Sequence, residues 1–164
     1  MERVQVPSFA AAVDRHLDDV HGYLVYLTGD RSAAEDLTAE TFERALRLWS
    51  RFDPRRGSVR TWLCQIARTT ALDWFRAEER RRRREERVAV PDRLEEGFAE
   101  GLSPELEAAL RELSAGEREV IALRVLLELD NEEAARVLGV SPTAVSTRLS
   151  RALKKLEEKV SIHV

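Results

Sequence analysis

Residues 129–153 constrain the fold most tightly, because they read as two short helices divided by an obligatory break. Asp130 is placed to N-cap the first helix, and Glu133, three residues on, completes a capping-box pattern. Ala134, Ala135 and Leu138 then form an apolar stripe. Gly139 supplies the break, Ser141 caps the second helix, and Pro142 takes its first position, where a missing N–H is not needed. Val145, Leu149 and Leu156 face inward at helical spacing, which leaves Ser146, Thr147, Ser150 and Arg151 outside. Short hydroxyls and an arginine fork in that arrangement suit base edges in a major groove, so the stretch reads as a DNA-reading helix-turn-helix. A helical hairpin with a solvated polar face is the alternative that the same residues allow.

Elsewhere helical periodicity runs through 9–27, 32–49 and 58–82, lapses from Val88 to Ser103, and resumes at 104–112, 115–127, 131–138 and 142–160. Ser32 with Glu35, and Ser114 with Glu117, have capping-box spacing. The 88–103 interval holds Pro91, Gly97 and Gly101 and is mostly acidic, which marks a linker. No period-2 alternation persists, so strands are not expected. The fold class is therefore all-α, with two small helical domains, 1–87 and 104–164, joined by a flexible acidic linker. Bundles this small fold with little margin, and partner docking is expected to supply part of their order.

Composition narrows the chemistry. With 43% hydrophobic and 35% charged residues the chain is globular material, and it shows neither a membrane span nor a secretory start. A single Cys64 excludes an internal disulfide, and a cytoplasmic location is expected. Three histidines and one cysteine make no zinc cluster at a usual spacing, and no Gly-rich phosphate loop or nucleophile elbow is present. Neither a cofactor, a metal nor an enzymatic activity is expected.

The net charge is only −3, but it is unevenly placed: residues 1–50 and 88–119 are acidic and residues 51–87 are basic. The basic block includes the run Arg80 to Arg84, which would attract phosphates in a salt-dependent way. Flanking Glu78, Glu79, Glu85 and Glu86 equally allow a self-paired, solvated helix end. In the 32–49 helix Leu37, Ala45, Leu46 and Trp49 are read as packing inward, while Asp36, Glu40, Glu43 and Arg44 form an acidic outer face. A polar loop from Ser50 to Gly57 follows, and then a helix in which aromatics and arginines alternate. Trp62, Leu63, Ile66, Ala67 and Trp74 are most simply core, as is Cys64. Arg60, Arg68 and Arg76 are better candidates for phosphates, and a basic loop beside aromatic residues also suits unstacked bases of single-stranded DNA.

The ordered motifs Thr28-Gly-Asp-Arg, Ala34-Glu-Asp-Leu-Thr-Ala-Glu-Thr-Phe, Phe52-Asp-Pro-Arg-Arg-Gly-Ser-Val-Arg-Thr-Trp-Leu, Ile66-Ala-Arg and Leu113-Ser-Ala-Gly-Glu-Arg-Glu-Val-Ile precede the helix-turn-helix. Together they resemble the extracytoplasmic-function class of bacterial RNA polymerase sigma factors. Residues 9–84 resemble the region 2 domain and 104–159 the region 4 domain. The acidic linker stands where the family lacks region 3.

The resemblance implies a promoter-recognising polymerase subunit. It implies that Asp36, Leu37, Ala39, Glu40 and Glu43 dock on the clamp helices of the polymerase β′ subunit. It further implies that the loop from Phe52 through Asp53, Arg55 and Arg56 to Ser58 cups a base flipped from the minus-10 element, with Arg60, Arg68, Thr69 and Arg76 nearby. Ser146, Thr147, Ser150 and Arg151 would read the minus-35 element, with Arg148 and Lys154 on phosphates, and the β flap and an anti-sigma factor would be further partners. The chain departs from the family pattern at Ala39, where many members have Gln, and at Thr69, where many have Asn. The acidic linker residues Glu95, Glu96 and Glu100 would let it pass through a basic polymerase channel as a nucleic-acid mimic. A stand-alone helix-turn-helix regulator and a helical adaptor protein are the competing classes. The acidic helix at 32–49 separates the first reading from the second, because a simple repressor has no need of it.

Overall fold

The computed structural model of the chain describes residues 5–85, 98 and 101–163. Among them are α1 (Phe9–Thr28), α2 (Arg31–Leu48), α3 (Val59–Arg84), α4 (Pro104–Glu112), α5 (Ala115–Ile121), α6 (Asn131–Leu138) and α7 (Pro142–His163), and no strand. A 3₁₀ turn, Trp49–Arg51, follows α2, and one π-helical stretch, Ala122–Leu126, follows α5. The linker residues Glu95, Glu96 and Glu100 lie outside the described residues.

In the N-terminal half α1, α2 and α3 pack pairwise around Val20, Tyr23, Leu24, Leu27, Ala34, Phe42, Ala45, Leu63, Cys64 and Ala67, all buried. Cys64 is fully enclosed, and burial pushes its thiol up to about 12, as befits a packed small hydrophobe. Gly29 ends α1 in the left-handed region at φ +67°. Asp30 can therefore enter α2 as its N-cap, accepting from the Ala33 N–H at 3.1 Å. Ser32, expected to cap this helix, instead lies inside its first turn. Thr38 and Thr41 are tolerated in the core because each hydroxyl donates to the carbonyl four residues back, at 2.7 Å in both cases. Ser58 caps α3 by accepting from the Thr61 N–H at 3.1 Å.

The C-terminal half has two complete capping boxes. Ser114 and Glu117 open α5, and Asp130 and Glu133 open α6. The 115–127 helix expected from periodicity is α-helical only to Ile121, after which it widens, with the Leu127 N–H donating to the Ala122 carbonyl at 2.9 Å. Gly139 closes α6 at φ +66°, its N–H donating to the Ala135 carbonyl, and Ser141 opens α7. The helix-turn-helix geometry is thus set by local hydrogen bonds at three successive termini. Val145 is fully buried, and Leu149 and Leu156 pack against the core, which keeps the opposite face of α7 in water.

The halves meet where α5 and the π-helical stretch lie on α1, and where α6 lies on α3. Arg118 of α5 is 8% exposed, and its guanidinium donates to the carbonyls of Tyr26 at 2.7 Å, Leu27 at 3.2 Å and Leu113 at 2.6 Å. Two of those carbonyls belong to the last turn of α1, so a residue of one half caps the helix of the other. Beside it Glu119 accepts from the Tyr23 hydroxyl at 2.6 Å and from Arg68 Nε at 2.7 Å. Phe98, inside the linker interval, is buried against Tyr26, with ring centroids 5.6 Å apart, and lies under Arg118.

Gly139 is open around its Cβ position, so its cost on substitution is conformational alone. Gly139→Ala is expected to lower stability by about 1 kcal/mol in urea unfolding, with Gly139→Asn costing less.

Candidate functional site

The acidic outer face of α2 carries Asp36, Ala39 and Glu43 in the open, with Glu40 half-buried. Arg44 ties Glu40 to α3, holding the Glu40 carboxylate at 2.6 Å and Asp73 at 3.1 Å, while Arg47 holds Glu43 at 2.6 Å. Leu37 is 4% exposed and belongs to the core, so it stands behind this face rather than on it. Leu46, expected inside, is 57% exposed. It sits at i+7 from Ala39 and i+3 from Glu43, so it adds an apolar contact to the acidic stripe. Amphipathicity alone misassigned it because the inward stripe was drawn one residue too wide.

The loop between α2 and α3 forms a second feature, a cavity of about 670 Å³ lined by Arg51, Phe52, Asp53, Arg56, Gly57 and Ser58 and by Thr61, Trp62 and Gln65 of α3. Its wall is aromatic. Trp49 and Phe52 stack with centroids 5.7 Å apart and planes 12° apart, and Trp62 meets them at 5.8 Å and 5.4 Å. Phe9 packs on the far side of Trp49 at 5.5 Å, which fixes the cluster to α1. The loop is held by Asp53, whose carboxylate accepts from the Arg55 backbone N–H at 3.0 Å and from Arg55 Nε at 3.3 Å. The Arg55 backbone N–H is the main reason the Asp53 carboxyl sits below the usual aspartate range.

Four nominated residues, Phe52, Asp53, Arg56 and Ser58, therefore line one cavity. Arg55 points away from it into solvent, its side chain 88% exposed. Arg60 faces α1 and Asp19 at 3.6 Å, Arg68 is bound to Glu119, and exposed Arg76 pairs with Asp73 at 3.6 Å. Thr69 is exposed on the same helix, its hydroxyl donating to the Gln65 carbonyl at 3.1 Å. Thr61, Trp62 and Gln65 are cavity residues that sequence reasoning missed. They follow Ser58 at i+3, i+4 and i+7, a spacing that could have placed them on its face.

On α7 Ser146, Thr147, Arg148, Ser150, Arg151 and Lys154 are all exposed, as expected of a face that must reach a partner. Ser146 is not free: Asn131, the first residue of α6, donates to its hydroxyl from Nδ2 at 2.8 Å. Arg148 and Arg151 also border a groove of about 410 Å³ between α5 and α7, with Ser114, Glu117, Val120 and Lys155. Among the described residues no group of His, Cys, Asp and Glu is arranged to hold a metal ion. No helix among them is long and apolar enough to cross a membrane.

Residues 12–81 match the Sigma-70 region 2 family and residues 103–156 match Sigma-70, region 4. The chain is 30% identical to the ECF RNA polymerase sigma factor SigX of Bacillus subtilis, over 94% of its own length and 84% of that relative. It is 38% identical to the ECF RNA polymerase sigma factor SigC of Mycobacterium tuberculosis, over 82% of its own length and 73% of that relative. Among solved structures it resembles the sigma factor RpoE of Bartonella quintana, crystallised with the anti-sigma factor NepR. The TM-score is 0.82 at 24% identity, covering 96% of this chain and 99% of that one. It also resembles CnrH in complex with the cytosolic domain of CnrY, with a TM-score of 0.69 at 26% identity, over 95% and 89% of the two chains. With both halves matched in order across an all-α fold, the chain belongs to the extracytoplasmic-function sigma factors of the sigma-70 family, the promoter-directing subunits of RNA polymerase, and is not a stand-alone regulator.

Proposed function

We propose that the three surfaces divide the work of promoter initiation, with residues 1–87 serving the polymerase clamp and the minus-10 element and residues 104–164 serving the minus-35 element. The observation that carries this reading is the aromatic-walled cavity at the N-terminus of α3. A base extruded from the minus-10 element stacks on Phe52 and Trp62 there, and Arg56 with the α3 terminus supplies positive potential for the backbone. Stacking stabilises each base by about 1–3 kcal/mol, which offsets the few kcal/mol lost on unstacking it. Strand opening then follows from binding energy, and no catalytic side chain is assigned a role.

Asp36, Ala39, Glu40 and Glu43 dock on the β′ clamp helices, with Leu46 at the centre of the contact and Leu37 supporting it from the core. Ser146, Thr147, Ser150 and Arg151 face base edges of the minus-35 element, while Arg148 and Lys154 meet phosphates. The C-terminal half also contacts the β flap. Because the sigma factor RpoE of Bartonella quintana, a structural neighbour, was crystallised with the anti-sigma factor NepR, an anti-sigma factor is proposed to control this chain too. The protein acts in the cytoplasm, where polymerase and promoter are. Arg60 and Arg76 are assigned to the phosphates flanking the cavity, where exchange of a weak surface ion pair for a phosphate is cheap.

Charge reversal tests the clamp contact. Asp36→Arg/Glu40→Arg is expected to weaken binding to core polymerase at least about tenfold, equivalent to 1.4 kcal/mol, in a fluorescence titration with helicity unchanged. Unaltered affinity would remove α2 from the interface. The Asp53 turn gives a pH test. Its folded-state carboxyl is depressed, so its contribution is complete above the ordinary aspartate value and disappears as pH falls through the depressed one. The Arg55 amide resonance is therefore expected to titrate with Asp53 below the ordinary aspartate range, and in Asp53→Asn that titration is absent.

A further inference from the structure

We infer that Asn131 is a positioning residue for promoter reading: its amide, reaching from the start of α6 to Ser146 on α7, sets the Ser146 hydroxyl as a hydrogen-bond donor and so requires an acceptor on the base that Ser146 meets. The inference rests on the minus-35 reading of α7 above. Asn131 Nδ2 donates to Ser146 Oγ at 2.8 Å. Asn131 is the first residue of α6, at the end remote from the turn at Gly139, so the bond ties the two helices together where the turn does not. Ser146 is exposed and Asn131 partly so, which leaves the pair within reach of a groove.

Helix capping does not account for Asn131. The first turn of α6 is already served by Asp130, which accepts from the Glu133 N–H at 2.8 Å, and by Glu133, which accepts from the Asp130 N–H at 3.0 Å. Packing does not account for it either. Asn131 Oδ1 is enclosed with no hydrogen-bond partner among the described residues, a loss that a plain helix former would not incur. The reverse orientation of the amide would enclose an NH2 group with two unpaired donors, which is the worse arrangement, so the nitrogen is the atom set toward Ser146.

The consequence for Ser146 follows from what a hydroxyl can give and take. A serine oxygen has one proton to donate and two lone pairs that accept. A fixed N–H on one lone pair polarises the hydroxyl and makes it a better donor. Other helix hydroxyls of this chain show the alternative. Thr147 donates to the Thr143 carbonyl at 3.1 Å, which turns its proton back along α7, and Thr69 and Ser161 likewise donate to carbonyls four residues back. Ser146 accepts from Asn131 instead, and its proton is left for a group outside the chain. In the major groove the acceptors are guanine O6 and N7, adenine N7 and thymine O4, whereas cytosine offers only its N4 donor. At the base facing Ser146, cytosine is therefore the disfavoured choice.

Base preference, read apart from affinity, decides the matter. Full-length chain is combined with bacterial core polymerase and a duplex library randomised upstream of the start, and the sequences that initiate are read. Wild type is expected to show a minus-35 position from which cytosine is depleted. Ser146→Ala and Asn131→Ala are each expected to relax that same position by about three- to tenfold, the scale of one hydrogen bond, and the double variant to do no more than either single one. Asn131→Asp can only accept, so the Ser146 proton turns to it and the base meets lone pairs alone. Preference at that position is then expected to move toward cytosine. A carboxylate in the first turn suits α6, so helicity is expected to be unchanged in this variant. A merely structural role for Asn131 would lower initiation on all sequences alike and move no single position. Wild-type preference in both Asn131 variants, while Ser146→Ala alters it, overturns the proposal. Wild-type preference in Ser146→Ala overturns instead the reading role of Ser146 on which the proposal rests.

Discussion

The Arg118 guanidinium, lodged against the end of α1, fixes how the two halves of this chain meet. A helix leaves its last carbonyls without intrahelical partners, and α1 ends at Gly29 with only one N–H turned back. Arg118 supplies donors to the Tyr26 and Leu27 carbonyls from 92 and 91 residues further along the chain, and its charge sits at the negative pole of the α1 dipole. Once it is placed, Glu119, the next residue, is brought between Tyr23 and Arg68. The Phe98 ring then covers the guanidinium, which removes water from the contact. Gly29 matters twice here, since it ends α1 in the left-handed region and lies close under Arg118, where a methyl group would come within 3.5 Å.

Around that contact, apolar packing and specific polar bonds are distributed differently. Within each half the contacts are apolar and closely packed, and water offers no substitute for them. Between the halves the same apolar core runs on, and hydrogen bonds and the Arg68–Glu119 ion pair are added to it. The aromatic wall of the cavity is built within the N-terminal half, where Phe9, Trp49, Phe52 and Trp62 brace one another.

What could be read from the sequence was what is local. The caps at Ser114, Asp130 and Ser141 form within four residues, and the starts of α5, α6 and α7 follow from them. Ser32 failed as a cap because Asp30, two residues earlier, reaches the same turn from a backbone that Gly29 has already reversed. Leu46 failed because the buried face of α2 includes Ala45 but not its neighbour, and nothing in the periodicity says where a neighbouring helix stops. Arg68 and Phe98 were illegible for a stronger reason. Their partners lie 51 and about 70 residues away, and pairs of that separation depend on the fold being already known.

Electrostatics then separates the two DNA-facing surfaces. Arg60, Arg68 and Arg76 on α3 each hold a carboxylate, and Arg81, Arg82 and Arg83 hold Glu78 and Glu79. On α7 neither Arg148, Arg151 nor Lys154 forms an ion pair with another described residue, and all three are exposed. The basic block of the sequence is thus largely self-neutralised, while the far less basic C-terminal half presents these three cations to solvent. Exposed pairs such as Arg76–Asp73 are exchanged for phosphate at little cost, but the Glu119 carboxylate is only 7% exposed and cannot be displaced without moving α5. The surface with the greater formal charge is therefore the more tightly restrained of the two, and the cations of the helix-turn-helix meet solvent directly.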